Sequence, residues 1–208
     1  MATEQKIVRA ILFVALINLG YFFVEFLVAI NIGSVSLFAD ATDFLEDAAI
    51  NILVLLALGW STLNRSRVGK VLSVLMLLPA VLAIWQGIQK SIDPVAPDSL
   101  PLALAAFAGL VVNLVSAFTL MRHRHSGGAL VTAAWLFTRN DAFVSAAILA
   151  MAAATFWLQS GWPDLILGAL ILLLNLTASK RVWDASEKEG LEARYSDPGS
   201  APSAPPTS

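Results

Sequence analysis

The sequence predicts an all-α fold, a polytopic bundle of six transmembrane helices with both termini on the cytoplasmic side. Three observations carry that expectation. The 208 residues are 58% hydrophobic and only 13% charged, against about 45–50% and about 25% in soluble domains. The apolar excess falls in long runs, each near or above the ~20 residues that cross ~30 Å of hydrocarbon. The basic residues gather in alternate loops, as they do on the cytoplasmic side of a membrane protein.

The runs can be taken in order. The first spans about 6–30 and ends at "NIGS"; the second spans about 36–60 and ends at "NRSRVGK". The third, about 70–92, is closed by "DPVAPDSLP", and the fourth, about 100–121, by "RHRHSGG". The fifth, about 129–159, stops at "QSGWP", where Pro163 suits the first turn of the sixth, about 162–178. Residues 1–183 therefore read as one transmembrane domain and 184–208 as a short cytoplasmic tail. The end of that tail, "YSDPGSAPSAPPTS", is too rich in Pro, Ser and Ala to build a core and reads as disordered. "WDASEKEGLEAR" reads as a short cytosolic extension of helix six.

Lys6 and Arg9 precede the first run. Arg65, Arg67 and Lys70 follow the second, Arg122 and Arg124 the fourth, and Lys180 and Arg181 the sixth. The other loops hold no Arg and one edge lysine, Lys90. The first run is too long for a signal peptide and contains Glu25, so it reads as a retained helix. No basic patch suits a nucleic acid. The absence of cysteine excludes disulfides and thiolate metal sites. No nucleotide loop, nucleophile–base pair or cofactor motif is found, so neither an enzyme nor a resident cofactor is expected.

The informative stretch is "SLFADATDFLEDAAINILVLLALGW", which puts Asp40, Asp43, Glu46 and Asp47 at the head of an apolar helix. At about 100° per residue, Asp40, Asp43 and Asp47 fall within roughly 60° of one another and share a face. Glu46 sits about 100° from Asp47 and need not share it. Each acid costs about 2.5–3.5 kcal/mol at mid-bilayer, and each Leu or Ile returns about 0.3–0.6. Three acids cost roughly 8–10 kcal/mol, more than the helix recovers. They call for a cation, a water-filled cavity, a basic partner or protonation.

Helix five supplies "WLFTRNDAFVSAAI", with Arg139, Asn140 and Asp141 inside an apolar run and Thr138 and Ser145 near the Asp141 face. Arg139 points about 200° from Asp141 and reads as a structural or gating counter-charge to Glu46 or Glu25. Asn18 and Glu25 share one face of helix one. Single asparagines such as Asn113 and Asn175 read as helix-to-helix glue. His123 and His125 sit in a basic loop; as a pair they make an incomplete site for capturing metal before entry.

These motifs together resemble the cation diffusion facilitator family of divalent-metal exporters. "GSVSLFADATDFLEDA" is similar to the family's second-helix signature, with Asp43 and Asp47 at its metal-binding positions. "TRNDAFVSAAILAMAAATFWLQSGWPDLILGALI" is similar to the stretch from the fifth helix into the sixth, with Asp141 at the metal-site aspartate. Asn18 and Glu25 resemble the polar positions of helix one. The resemblance covers about residues 6–183. It implies six helices with both ends inside and a cation site shared by helices two and five. It also implies four ligands from two x-three-x pairs, and alternating access in exchange for protons. Carboxylates that release a dication when protonated supply the physical basis.

Two departures from the family pattern matter. Its fifth-helix pair is usually His-x-x-x-Asp, but the position four before Asp141 is Phe137. Asp43, Asp47 and Asp141 remain as the ligands, with Asn140, Thr138, Asp40 and Glu46 as accessory candidates. An oxygen-only set widens the expected cargo from Zn²⁺ to Mn²⁺, Mg²⁺, Fe²⁺ and Co²⁺. The family also commonly carries a cytoplasmic metal-binding domain after helix six, where only about 25 residues follow here. Any homodimer is therefore expected to form through the membrane helices. The leading expectation is a divalent-cation exporter in a bacterial inner membrane. A proton-coupled carrier of a small organic cation, held against Phe137 by cation–π contact, and a non-transporting sensor or subunit are the alternatives.

Overall fold

The computed structural model describes residues 2–57, 61–123 and 128–195. Six α-helices lie among them: α1 (Ala2–Ile32), α2 (Val35–Ala57), α3 (Thr62–Ile92), α4 (Ser99–Met121), α5 (Gly128–Leu158) and α6 (Trp162–Tyr195). No strand occurs among the described residues.

Two helices outrun the apolar segments that mark them. α3 begins at Thr62, so the basic "NRSRVGK" forms its first turns rather than a loop. α6 continues to Tyr195, past the apolar run that ends near 178 and through the "WDASEKEGLEAR" stretch read as its extension. Bilayer length bounds a hydrophobic run, not a helix. Beyond the lipid, Lys, Arg, Glu, Ala and Leu keep a helix going by propensity alone. The α6 extension also has a neighbour, because Lys70 on α3 lies over the Trp183 ring at 5.2 Å and 4.0 Å from Glu187. The tail expected to be disordered lies, from 196 onward, outside the described residues.

α2 is the central helix. It packs against α1, α3, α5 and α6 and touches α4, while α1 also meets α4 and α4 meets α5. The α3–α6 pair joins this group through α2 and, more lightly, through α5. Every residue from Ser34 to Phe44 is buried. The turn entering α2 is tight. Gly33, at φ +64°, ends α1 in the left-handed region, where glycine pays no Cβ penalty. Ser34 then caps α2, its Oγ accepting from the Leu37 N–H at 3.2 Å.

The polarity of the molecule is inverted relative to a soluble bundle. Leu16, Phe23, Trp85, Trp157 and Ile166 are exposed on the outside. Asn18, Glu25, Asp40, Asp43, Glu46, Asp47, Asn113, Thr138 and Ser145 are buried within. A lipid-facing surface accounts for the first set, and a polar interior shielded from lipid for the second. Among the described residues, three stretches are long and apolar enough to cross a bilayer by length and composition: Gln5–Ile32, Ser99–Met121 and Ala134–Leu158. α2 carries too many acids to join them, and the predominantly apolar part of α6, Trp162–Leu174, is shorter.

Candidate cation site

Two side-chain hydrogen bonds stitch α2 to α5. Thr138 Oγ1 donates to Asp47 Oδ2 at 2.6 Å, and Ser145 Oγ donates to Asp40 Oδ2 at 3.2 Å. Seven residues separate the two bonds on each helix, in opposite order. Seven residues are about two helical turns, so the seam is an antiparallel register with one polar face on each helix. Asp43 falls between the two bonds, opposite the stretch of α5 that carries Asp141, and these two carboxyls lie within electrostatic reach of each other. Asp43, Asp47 and Asp141, the residues singled out from the sequence, thus lie along the α2–α5 seam.

They gather without closing into a cage. Among the described residues, no three His, Cys, Asp or Glu side chains stand together closely enough to hold one metal ion. Asp47 is turned to Thr138 and Asp40 to Ser145 instead.

The accessory candidates divide. Asp40 belongs to the seam and also stands against Glu25 of α1. Both Glu25 oxygens and Asp40 Oδ1 are buried without a donor among the described residues. The Glu25 carboxyl rests against Gly109 of α4, where an added Cβ would come within 3.3 Å of Oε1. Asn18 serves the helix joints, its Nδ2 donating to Val14 O at 2.8 Å and to Ser116 Oγ of α4 at 3.3 Å. Asn113 does the same between α4 and α5, donating to Ser145 Oγ at 3.1 Å. Glu46 is buried on α2 near the same group.

Arg139 is set apart from the buried acids. It is exposed, lies 5.4 Å from the Trp135 ring centroid, and among the described residues hydrogen-bonds to Asn140 Oδ1, at 3.5 Å. The expected counter-charge pairing with Glu46 or Glu25 is not among its contacts to described residues, and the helical twist that brings Thr138 toward α2 turns Arg139 outward. Asn140 is exposed with it, which removes Asn140 from the seam. Phe137 is also exposed rather than walling in the carboxyls. His123 is half-buried in the turn after α4; His125, its expected partner in metal capture, lies outside the described residues.

One polar centre escaped the sequence reading. Asp164, in the first turn of α6, is fully buried and accepts from the backbone N–H groups of Val35 and Ser36, from the Ser34 and Ser36 hydroxyls, and from Lys90 Nζ. The available signal was charge bookkeeping: Lys90 is the lone basic residue of its side, and "WPD" offers it an acid.

The chain matches the model of the cation efflux transmembrane domain over residues 11–186. It belongs to that family. Its curated relatives include the zinc transporter ZitB of Escherichia coli (strain K12), 27% identical over 204 residues, with 91% of this chain and 64% of the relative covered. The ZitB of Yersinia pestis is 29% identical over 174 residues, with 77% and 55% covered. The chain thus spans somewhat over half the length of these relatives. Family and apolar surface together make it a multi-pass membrane protein of a cation-transport family, not an enzyme.

Proposed function

We propose that this protein moves a divalent metal cation out of the cytoplasm in exchange for protons, with Asp43, Asp47 and Asp141 as the ligands. The α2–α5 seam carries the reading: Asp43 and Asp141 lie within electrostatic reach of each other there, and Asp47 beside them is held by one exchangeable hydrogen bond from Thr138. Zinc is the first cargo to test, because the similar proteins are named zinc transporters. With no imidazole in the set, Mn²⁺, Fe²⁺ and Co²⁺ belong to the same test.

The cycle follows from competition for the same oxygens. A dication entering the seam displaces Thr138 from Asp47 and draws Asp43 and Asp141 together. Protons arriving from the other side return the carboxyls to neutral acids and release the ion. The buried Glu25–Asp40 pair beside the seam can take up a proton without handling the metal. In this reading six spans place both termini in the cytoplasm of a bacterial inner membrane, and any homodimer contacts through the helices.

Cation uptake into proteoliposomes, across Zn²⁺, Mn²⁺, Fe²⁺, Co²⁺, Cd²⁺ and Mg²⁺ with and without a pH gradient, tests the reading. Flux of at least one ion that Asp43→Asn and Asp141→Asn both abolish is expected. Absence of flux for every ion in a folded, reconstituted protein would overturn it.

A further inference from the structure

We propose that Asp164 is a positioning residue for α2. From the first turn of α6 it fixes the outer end of α2 to α6 and α3, and so sets where the α2 carboxyls stand. The inference rests on the cation-site reading above for its consequence, but not for its geometry.

The geometry is unusual for a helix start, because the capping carboxyl belongs to another helix. Asp164 Oδ2 accepts from the Val35 N–H at 2.8 Å and from Lys90 Nζ at 2.9 Å. Oδ1 accepts from Ser34 Oγ at 2.7 Å, Ser36 Oγ at 2.6 Å and the Ser36 N–H at 3.1 Å. A carboxylate on the free N–H groups of a helix start satisfies donors that have no intrahelical partner and lies at the positive end of the helix dipole. Lys90 balances the buried charge and also donates to Gly33 O at 2.7 Å, so the α1–α2 turn, α3 and α6 meet at one point.

A second contact fixes the same joint independently. A Cβ on Gly168, one turn beyond Asp164, would meet Ser36 N, Val35 C and Val35 Cγ1, each at 2.8 Å. Two of those atoms are backbone, so α6 and the first turn of α2 touch main chain to main chain. Asp164 and Gly168 together set both the direction and the distance of approach.

The joint contrasts with the α2–α5 seam. There, one hydrogen bond ends on Asp47, a proposed ligand, and the other on the accessory candidate Asp40, so ion binding must rearrange the first. At the outer end no described bond involves those carboxyls, and the joint can persist through the cycle as the fixed end of a lever. Asp47 lies about 18 Å along the helix from Val35, so a tilt of about 10° at the clamp moves it by about 3 Å. That is enough to dismantle a coordination site.

The test uses the full chain, whose lack of cysteine makes labelling clean. Spin labels on Ile52→Cys and Leu173→Cys report the α2–α6 distance in reconstituted protein. Asp164→Asn keeps one acceptor and loses the charge; Gly168→Ala pushes the same joint without touching an ionisable group. Both variants are expected to shift or broaden the label distance. Both are also expected to change the Zn²⁺-to-Mn²⁺ flux ratio by about tenfold, since small misplacements of reacting groups carry effects of that size. A simple loss of stability would lower the folded fraction and leave that ratio alone. A parental label distance in both variants overturns the proposal, as does a shifted distance with a parental ion ratio. If the parent carries no cation but the label distance shifts, the carrier reading falls and the positioning of α2 by Asp164 stands. Should Asp164→Asn fail to fold, Gly168→Ala and Lys90→Met decide by the same measurements.

Discussion

Thr138 donates a 2.6 Å hydrogen bond to Asp47 across the α2–α5 seam. Two turns away, Ser145 repeats the arrangement with Asp40. The carboxyls on α2 are thus both the adhesive between the helices and the candidate ligands, and the two roles compete for the same oxygens.

Neutralising the ligands separates those roles. Asp43→Asn and Asp47→Asn are each expected to cut cation flux at least about 100-fold, as loss of one of three charged ligands should. Thermal stability in detergent should be unchanged or higher, because a buried carboxyl among others costs folding energy. Proteoliposome flux beside a thermal melt of the same preparation checks both halves.

Thr138→Val keeps shape and removes the donor. The seam should lose about 0.6–1.7 kcal/mol of stability, the range of interhelical hydrogen bonds in membranes. Asp47 no longer has to leave a partner, so the half-saturating cation concentration should fall. A titration of flux against cation, run with a melt, reads both effects.

Phe137→His places an imidazole four residues before Asp141 on α5, where a turn of its exposed side chain toward the seam would let it join the ligands. Nitrogen ligands favour zinc over manganese. The Zn²⁺-to-Mn²⁺ flux ratio should rise by about tenfold or more, on the scale of one added ligand. Competition between the two ions in a single vesicle preparation gives the ratio directly.

The direction of coupling has a definite sign. Protons and dications compete for the carboxyls, so an acidic compartment strips the ion from a site opening toward it. Cation should run toward the acidic side of the vesicle membrane, and a protonophore that collapses the gradient should slow it. Glu25→Gln should weaken this acceleration more than it weakens flux at symmetric pH.

Gly161→Ala tests the turn between α5 and α6. An added Cβ would lie 2.6 Å from Val95 O and 2.7 Å from Pro94 O, both backbone atoms that cannot swing aside. A loss of about 1–3 kcal/mol is expected, typical of overpacking at an unyielding position. A melt of the variant in the same detergent checks it.

The legible parts of this molecule were those written in periodicity and charge. Long apolar runs mark the helices, and the spacing of Asp40, Asp43 and Asp47 gives them one face. Helical geometry alone, applied to α5, aims Thr138 and Ser145 beside Asp141. What stayed hidden were joints between helices far apart in sequence. Nothing local to "WPD" says that Asp164 caps a helix more than a hundred residues earlier. Nor does the position of Arg139 in an apolar run reveal that it turns outward toward Trp135. The start of α3 was hidden for a simpler reason: charged helix formers prolong it, which a hydrophobic count passes over, whereas the charged stretch after α6 was legible as its extension.

The cap of α2 has a bearing on how the protein is made. Val35 and Ser36 leave the ribosome long before Asp164, because α6 is the sixth helix to be synthesised. Until then the start of α2 lacks its carboxylate acceptor, and its acids lack the walls that later enclose them. Insertion and consolidation therefore run on different clocks. α2 enters early as an ill-suited span, and its outer turn is sealed only when α6 arrives. The packing around α2 waits for α6, and a nascent chain stalled before that helix would present an unfinished α2 to the membrane's quality-control proteases.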